Sequence, residues 1–210
     1  VKLKLYHYWR SSSSWRVRWA LAIKGVKAEL IPIDLLSNQS ETVEHLARNP
    51  MGFVPALDID GRHLAESVAI IEWLEETFPQ NPLFPADPFL RARARQLAEI
   101  INAGIQPLQN LGVTDRVSQD PEARKAWNQY WIRKGFSAYE TLVRETAGKF
   151  SIGDSITFPD LFLIPQCYNA SRNEIGLTEF ETIERIHRAG LATPSCEASH
   201  PERTQPATVI

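Results

Sequence analysis

The sequence predicts two parts of different class, an α/β domain of order β-α-β-α-β-β-α followed by an all-helical domain. Three observations predict it. Short apolar runs alternate with amphipathic stretches over residues 1–78. Pro79, Pro82, Pro85 and Pro88 then punctuate the chain. Beyond them no strand run appears.

The first strand is residues 2–8, Lys2-Leu3-Lys4-Leu5-Tyr6-His7-Tyr8. A helix is expected over 14–24, turning Val17, Ala20, Leu21 and Ile23 to a core, with Gly25 as its stop. Glu29 to Asp34 reads as a second strand, Ser37 to Ser40 as a loop and Glu41 to Arg48 as a short helix ended by Asn49-Pro50. A strand entered through Val54-Pro55 follows, and Asp60-Gly61 is a two-residue hairpin signal that returns Arg62-His63-Leu64. Glu66 to Thr77 is an amphipathic helix with Val68, Ile70, Ile71 and Leu74 as its buried stripe. This order of elements is that of a thioredoxin-like domain, spanning 1–81, with 82–88 as linker and 89–210 as the helical domain.

In the second part, Phe89 to Gly112 reads as a helix kinked at Pro107, with Arg91, Arg93 and Arg95 on a solvated side. Pro121 opens a long helix to about Thr146, and Gly148 and Gly153 bound a loop. Thr157-Phe158-Pro159-Asp160 resembles a capping box at the head of an apolar helix that Pro165 should kink unless packing offsets it. The last helix is expected at 179–190, and the end from Pro194 to Ile210 reads as irregular.

Composition narrows the function. A net charge of −2 gives no electrostatic case for nucleic acid. No run approaches the ~20 apolar residues of a membrane span, and no secretory signal is visible. Two cysteines, Cys167 and Cys196, cannot frame a disulfide scaffold. They fit a reducing compartment, so a cytoplasmic location is expected. Five scattered histidines without Cys-x-x-Cys spacing point to no metal.

The chemistry-bearing feature is Ser11-Ser12-Ser13-Ser14-Trp15-Arg16-Val17-Arg18, at the junction of a strand and a helix. Such a junction offers unpaired N–H groups and the positive end of a helix dipole. With hydroxyl donors added, it suits an anion such as a bound thiolate. With no cysteine nearby, the thiol would come from a ligand. The same serines also suit a plain N-cap. Val54-Pro55 is open to two readings, an ordinary trans proline or a cis bond that presents the Val54 backbone to an extended ligand. Glu66-Ser67 either caps a helix or grips the ammonium and carboxylate of an amino-acid ligand. Together the three segments converge on a zwitterionic, thiol-bearing tripeptide.

The serine-arginine segment resembles the signature of zeta-class glutathione transferases, the maleylacetoacetate isomerase family. Asn49-Pro50-Met51, Val54-Pro55, Ser67-x-Ala69-Ile70-Ile71-Glu72 and Gly104 to Leu111 resemble it as well. So do Gly153-Asp154, Asp160-Leu161, Pro165-Gln166, Ser199-His200-Pro201 and Gln205-Pro206. The resemblance spans nearly the whole chain and implies a glutathione-transferase fold, glutathione as cofactor and a homodimer. It implies that Ser11 is the closest partner of the sulfur and Ser12 a second donor. Ser13, Ser14, Trp15, Arg16, Ser40, Val54, Pro55, Glu66, Ser67, Gln106 and Asn110 would complete the glutathione site. Arg10 and Arg172 would hold a small dicarboxylic or keto-acid substrate. Two departures stand out: Ser13 where the family usually has cysteine, and Glu66 where relatives often have glutamine.

The activity so implied is cis–trans isomerisation of maleylacetoacetate, or maleylpyruvate, by thiolate addition, bond rotation and elimination. Two alternatives use the same fold. One is a transferase that conjugates or dehalogenates small electrophiles such as α-haloacids. The other is a binding protein without turnover.

Overall fold

The computed structural model describes residues 1–205. Pro206, matched above as part of Gln205-Pro206, lies outside them, as does the rest of the tail to Ile210. The chain divides into two compact units. The first comprises residues 1–82 together with the described residues from Thr193 onward, and the second comprises 83–192.

In the first unit, β1 (Leu3–His7), β2 (Glu29–Pro32), β3 (Ala56–Ile59) and β4 (Arg62–Ala65) form one sheet of order β2-β1-β3-β4. β1 and β2 are parallel, with Leu5 opposite Leu30. β1–β3 and β3–β4 are antiparallel. The hairpin turn carries positive φ at both Asp60 and Gly61, as its two-residue loop requires. Helices α1 (Ser12–Lys24) and α3 (Ser67–Thr77) pack on each other, and a short α2 (Val43–Leu46) follows a 3-10 turn over Gln39–Glu41. Gly25 ends α1 in the left-handed region at φ 65, returning its N–H to the Ala22 and Leu21 carbonyls.

The chain end differs from the sequence expectation. Pro194–Ser199 is a helix, α9, followed by a 3-10 turn over Pro201–Arg203. It packs against α1 within the first unit instead of extending the helical domain. The reason lies in α1. Trp15 and Trp19 are buried on it while Ile23 is only half-buried, so α1 has a second apolar face that α9 covers. The Trp19 indole donates to Ser195 Oγ at 3.0 Å and the Trp15 indole to Ser199 Oγ at 3.1 Å.

The second unit contains α4 (Pro88–Asn102), α5 (Leu111–Val117), α6 (Pro121–Val143), α7 (Asp160–Arg172) and α8 (Glu181–Leu191). Its core joins Leu97 and Ile101 of α4, Phe136 and Tyr139 of α6, Phe162 of α7 and Ile183 of α8. Asp87 and Asp120 cap α4 and α6, each with proline in the first turn. The expected kinked helix over 89–112 is instead broken: α4 stops at Asn102 and Pro107 begins a 3-10 turn over Gln106–Gln109. Ile105 fills the break and lies so close to α6 that a Cβ on Gly135 would collide with its side chain.

The expected linker is packed at its start. Leu83 and Phe84 are buried, and the Leu83 carbonyl accepts from Phe158 N–H at 2.7 Å. Arg91 and Arg95 stack over the Phe84 ring and Arg93 pairs with Glu145, so these arginines cover apolar surface as well as facing water. Asp160 is fully buried and accepts from Ser151 N–H, Thr157 N–H and Thr157 Oγ1, the reach-back half of the capping box. Pro165 is carried inside a continuous, buried α7.

Candidate functional site in the first unit

The four serines have four different environments. Ser11 is the N-cap of α1: its Oγ accepts from Ser14 N–H at 3.2 Å, and its own N–H donates to the Tyr8 carbonyl at 3.1 Å. A capping hydroxyl that accepts from the backbone still has its proton to donate. Ser14 is fully buried and its Oγ accepts from Tyr8 N–H at 3.4 Å, which ties the helix start to the strand end. Ser12 and Ser13 occupy the first two helical positions. Capping leaves their N–H groups as first-turn donors. Ser12 is 6% exposed.

The rest of the predicted glutathione set in this unit is brought to three places. The Val54–Pro55 bond is cis, and Val54 belongs to a core cluster with Tyr6, Ile33 and Ala56. Ser67 opens α3 and accepts on Oγ from the fully buried Arg16 guanidinium at 3.1 Å. That leaves the Ser67 hydroxyl proton and first-turn N–H for a carboxylate, with a guanidinium behind them. Glu66 precedes it with φ 68 and ψ 119, a conformation that L residues rarely hold outside functional sites. Its side chain is exposed. Ser40 is buried in the 3-10 turn before α2.

Two predicted residues are committed elsewhere by their side chains. The Trp15 indole, 1% exposed, faces α9 and stacks edge-on with His200 at 4.9 Å. The Arg16 guanidinium is turned inward, fully buried and donating to Ser67 Oγ. Arg10 is half-buried, lies over the Trp9 ring and donates to Tyr8 Oη at 3.3 Å.

Arg172, Gln106 and Asn110 belong to the second unit. Gln106 Nε2 donates to Asn110 Oδ1 at 2.9 Å, and Arg172 is exposed at the last position of α7. Among the described residues no group of histidines, cysteines and carboxylates is arranged to hold a metal.

Sequence reasoning passed over Arg18. It is 4% exposed and donates to the Trp9 carbonyl at 2.9 Å, the Tyr8 carbonyl at 3.4 Å and the Ser199 carbonyl at 3.1 Å. Its fourth partner is His7 Nδ1 at 3.2 Å. Burial first, and the Arg18 charge second, hold His7 down to about 4, so its imidazole is neutral and accepts. Burial lowers Arg18 to about 9, which keeps it charged at neutral pH. The signal was its place seven residues after Ser11, two helical turns on and on the same face.

Neither cysteine can serve as nucleophile. Burial pushes Cys196 up to about 12 and Cys167 higher still. A thiolate at the Ser11 end of α1 therefore has to be brought by a ligand.

A four-stranded thioredoxin-like sheet with a serine-capped first helix, followed by a helical unit, fits the glutathione-transferase class. Residues 1–76 match the family "Glutathione S-transferase, N-terminal domain". The chain is 46% identical to the maleylacetoacetate isomerase of Mus musculus, over 97% of this chain and 94% of the mouse protein. A crystal structure of maleylacetoacetate isomerase from Anaeromyxobacter dehalogenans 2CP-1, with glutathione in its active site, is 45% identical with a TM-score of 0.89, covering 98% of this chain and 97% of that one. The same bacterial isomerase has been solved with dicarboxyethyl glutathione and citrate bound. A zeta-class maleyl pyruvate isomerase reaches a TM-score of 0.93 at 37% identity, over 97% of this chain and 98% of its own. This chain belongs to the zeta-class glutathione transferase and maleylacetoacetate isomerase family.

Proposed function

We propose that this chain is a glutathione-dependent cis–trans isomerase acting on maleylacetoacetate or on the related keto acid maleylpyruvate. The observation that carries the reading is the Ser11 cap, a hydroxyl fixed by Ser14 N–H with its proton left to donate at a helix N-terminus. Glutathione, when bound, supplies a thiolate that adds to the cis double bond and leaves again after rotation. Every other task falls to the chain. Ser11 donates to the sulfur and Ser12 adds a second hydroxyl. A hydrogen bond to a charged group contributes about 1.5–3 kcal/mol, which lowers a thiol by roughly one to two pKa units.

Val54 pairs its backbone with the peptide part of the ligand. Ser67 holds the γ-glutamyl carboxylate, and Glu66 accepts from its ammonium. Arg10, beside Ser11, attracts a substrate carboxylate. Arg172, Gln106 and Asn110 enter this reading through the family resemblance alone. So do Ser40 and Ser13. The dicarboxyethyl adduct held by the bacterial relative supports sulfur addition to a small unsaturated diacid.

Two further parts of the reading are the homodimer of the resemblance and a reducing, cytoplasmic setting. The second is supported by two free, buried cysteines. No helix among the described residues is long and apolar enough to cross a membrane. Sedimentation tests the dimer.

The activity is tested by supplying maleylacetoacetate with and without glutathione and following the loss of enol absorbance. Turnover only with glutathione, at a constant thiol titre, is the expected result. Equal rates in both tubes would end the proposal. Loss of one thiol per product would replace isomerase with transferase.

A further inference from the structure

We propose that Arg18 is a positioning residue for the thiol chemistry: its guanidinium pins the Tyr8 and Trp9 carbonyls and so fixes the direction of the Ser11 hydroxyl. The inference rests on the glutathione reading of the serine site and adds a residue to it.

Arg18 is a buried cation whose four described partners are three carbonyl oxygens and one imidazole. Among the described residues no carboxylate pairs with it. Burying an uncompensated guanidinium costs stability, and an apolar residue would fill the same volume more favourably. What it holds explains its presence. The Tyr8 carbonyl accepts from Arg18 and also from Ser11 N–H. Tyr8 N–H in turn donates to Ser14 Oγ. Both ties between the strand end and the serine cap therefore run through Tyr8, and Arg18 locks that residue and the next. The planar fork makes this possible, because NH1 and NH2 serve two successive carbonyls at once.

The guanidinium also lies within two hydrogen-bond lengths of the Ser11 amide. His7 on β1 and His200 beyond α9 are its titratable neighbours, and burial lowers both, so they stay neutral at neutral pH. Glu202 and Arg203, of opposite sign, flank His200. The cation thus adds to the positive end of α1 where an anionic sulfur is expected. At an effective dielectric near 20, a unit charge ~10 Å from the sulfur, beyond the Ser11 amide, shifts such a thiol by about one pKa unit.

The test compares wild type with Arg18→Met and Arg18→Lys, each checked for folding by circular dichroism and cooperative urea unfolding. The readouts are ultraviolet titration of the thiolate of bound glutathione, and kcat and KM for glutathione. In Arg18→Met the bound thiol rises by about one pKa unit and kcat falls about tenfold. KM for glutathione moves less than about threefold, because Val54 and Ser67 still hold the rest of the ligand. Arg18→Lys keeps the charge but not the fork, and falls between the two. Ser199→Ala, which removes the Trp15 contact and leaves the carbonyl that Arg18 uses, lowers stability without moving the thiol.

Either arginine variant, folded and with wild-type thiol titration and kcat, overturns the positioning role. If Arg18→Met does not fold, Arg18→Lys decides alone. A wild-type chain that binds no glutathione by calorimetry overturns the parent reading and this one with it. Binding with unchanged variants overturns this one only.

Discussion

Removing the Ser11 hydroxyl separates two jobs held by one atom. Its oxygen caps α1 through Ser14 N–H at 3.2 Å, and its proton is assigned to the ligand sulfur. Losing an N-cap to alanine costs about 1 kcal/mol of stability, while glycine in the same place costs only a few tenths. Losing a hydrogen bond to a charged sulfur costs about 1.5–3 kcal/mol, or roughly a ten- to hundredfold fall in kcat. Ser11→Ala should therefore lose both stability and rate, and Ser11→Gly should lose the rate while keeping most of the stability. Ser12→Ala leaves the cap bond in place and should slow turnover less than either. Urea unfolding and saturating steady-state kinetics read the two quantities independently. Wild-type kcat in Ser11→Gly would refute the assignment of its proton to the sulfur.

Three further outcomes are expected. His7 is held at about 4 against an ordinary 6.5 by burial and Arg18, so the fold favours its neutral form. That stability is complete above the ordinary value and is lost as pH falls toward the folded one. Wild type should lose about 2 kcal/mol more than His7→Asn between neutral pH and pH ~5, measured by urea unfolding; parallel curves would contradict this. Asp160→Ala strands buried donors at Ser151 and Thr157 and should cost about 3 kcal/mol or more by the same measurement, against under 1 kcal/mol were the carboxylate idle. Glu66→Gly relieves a backbone at φ 68 and should gain about 1 kcal/mol, while the lost carboxylate raises KM for glutathione several-fold at constant kcat; an unchanged KM would remove Glu66 from the ligand.

How much of this was legible follows from the range of each interaction. The strands and the first-domain helices follow local periodicity, and the Asp60-Gly61 hairpin follows turn chemistry, so they were readable. The serine cap was readable because capping is local. Which serine accepts from which N–H was not, since that depends on the path of Tyr8 into the helix. Pro107 signalled a break, but whether the helix kinks or ends there depends on Ile105 pressing against Gly135 of α6, far along the chain. The end of the chain reads as irregular in sequence because α9 is only six residues long. It is held by Trp15, Trp19 and Arg18, more than 170 positions earlier. For the same reason a buried arginine inside a helical segment gave no local sign of the carbonyls it holds.

In the proposed mechanism, Ser11 and its helix end hold a borrowed thiol as its anion. Ultraviolet difference titration of glutathione bound to the wild-type chain measures this without any substrate. The thiol should ionise well below the ~8.5 of a free cysteine, by one unit or more. A bound thiol that titrates at or above that value would contradict the account.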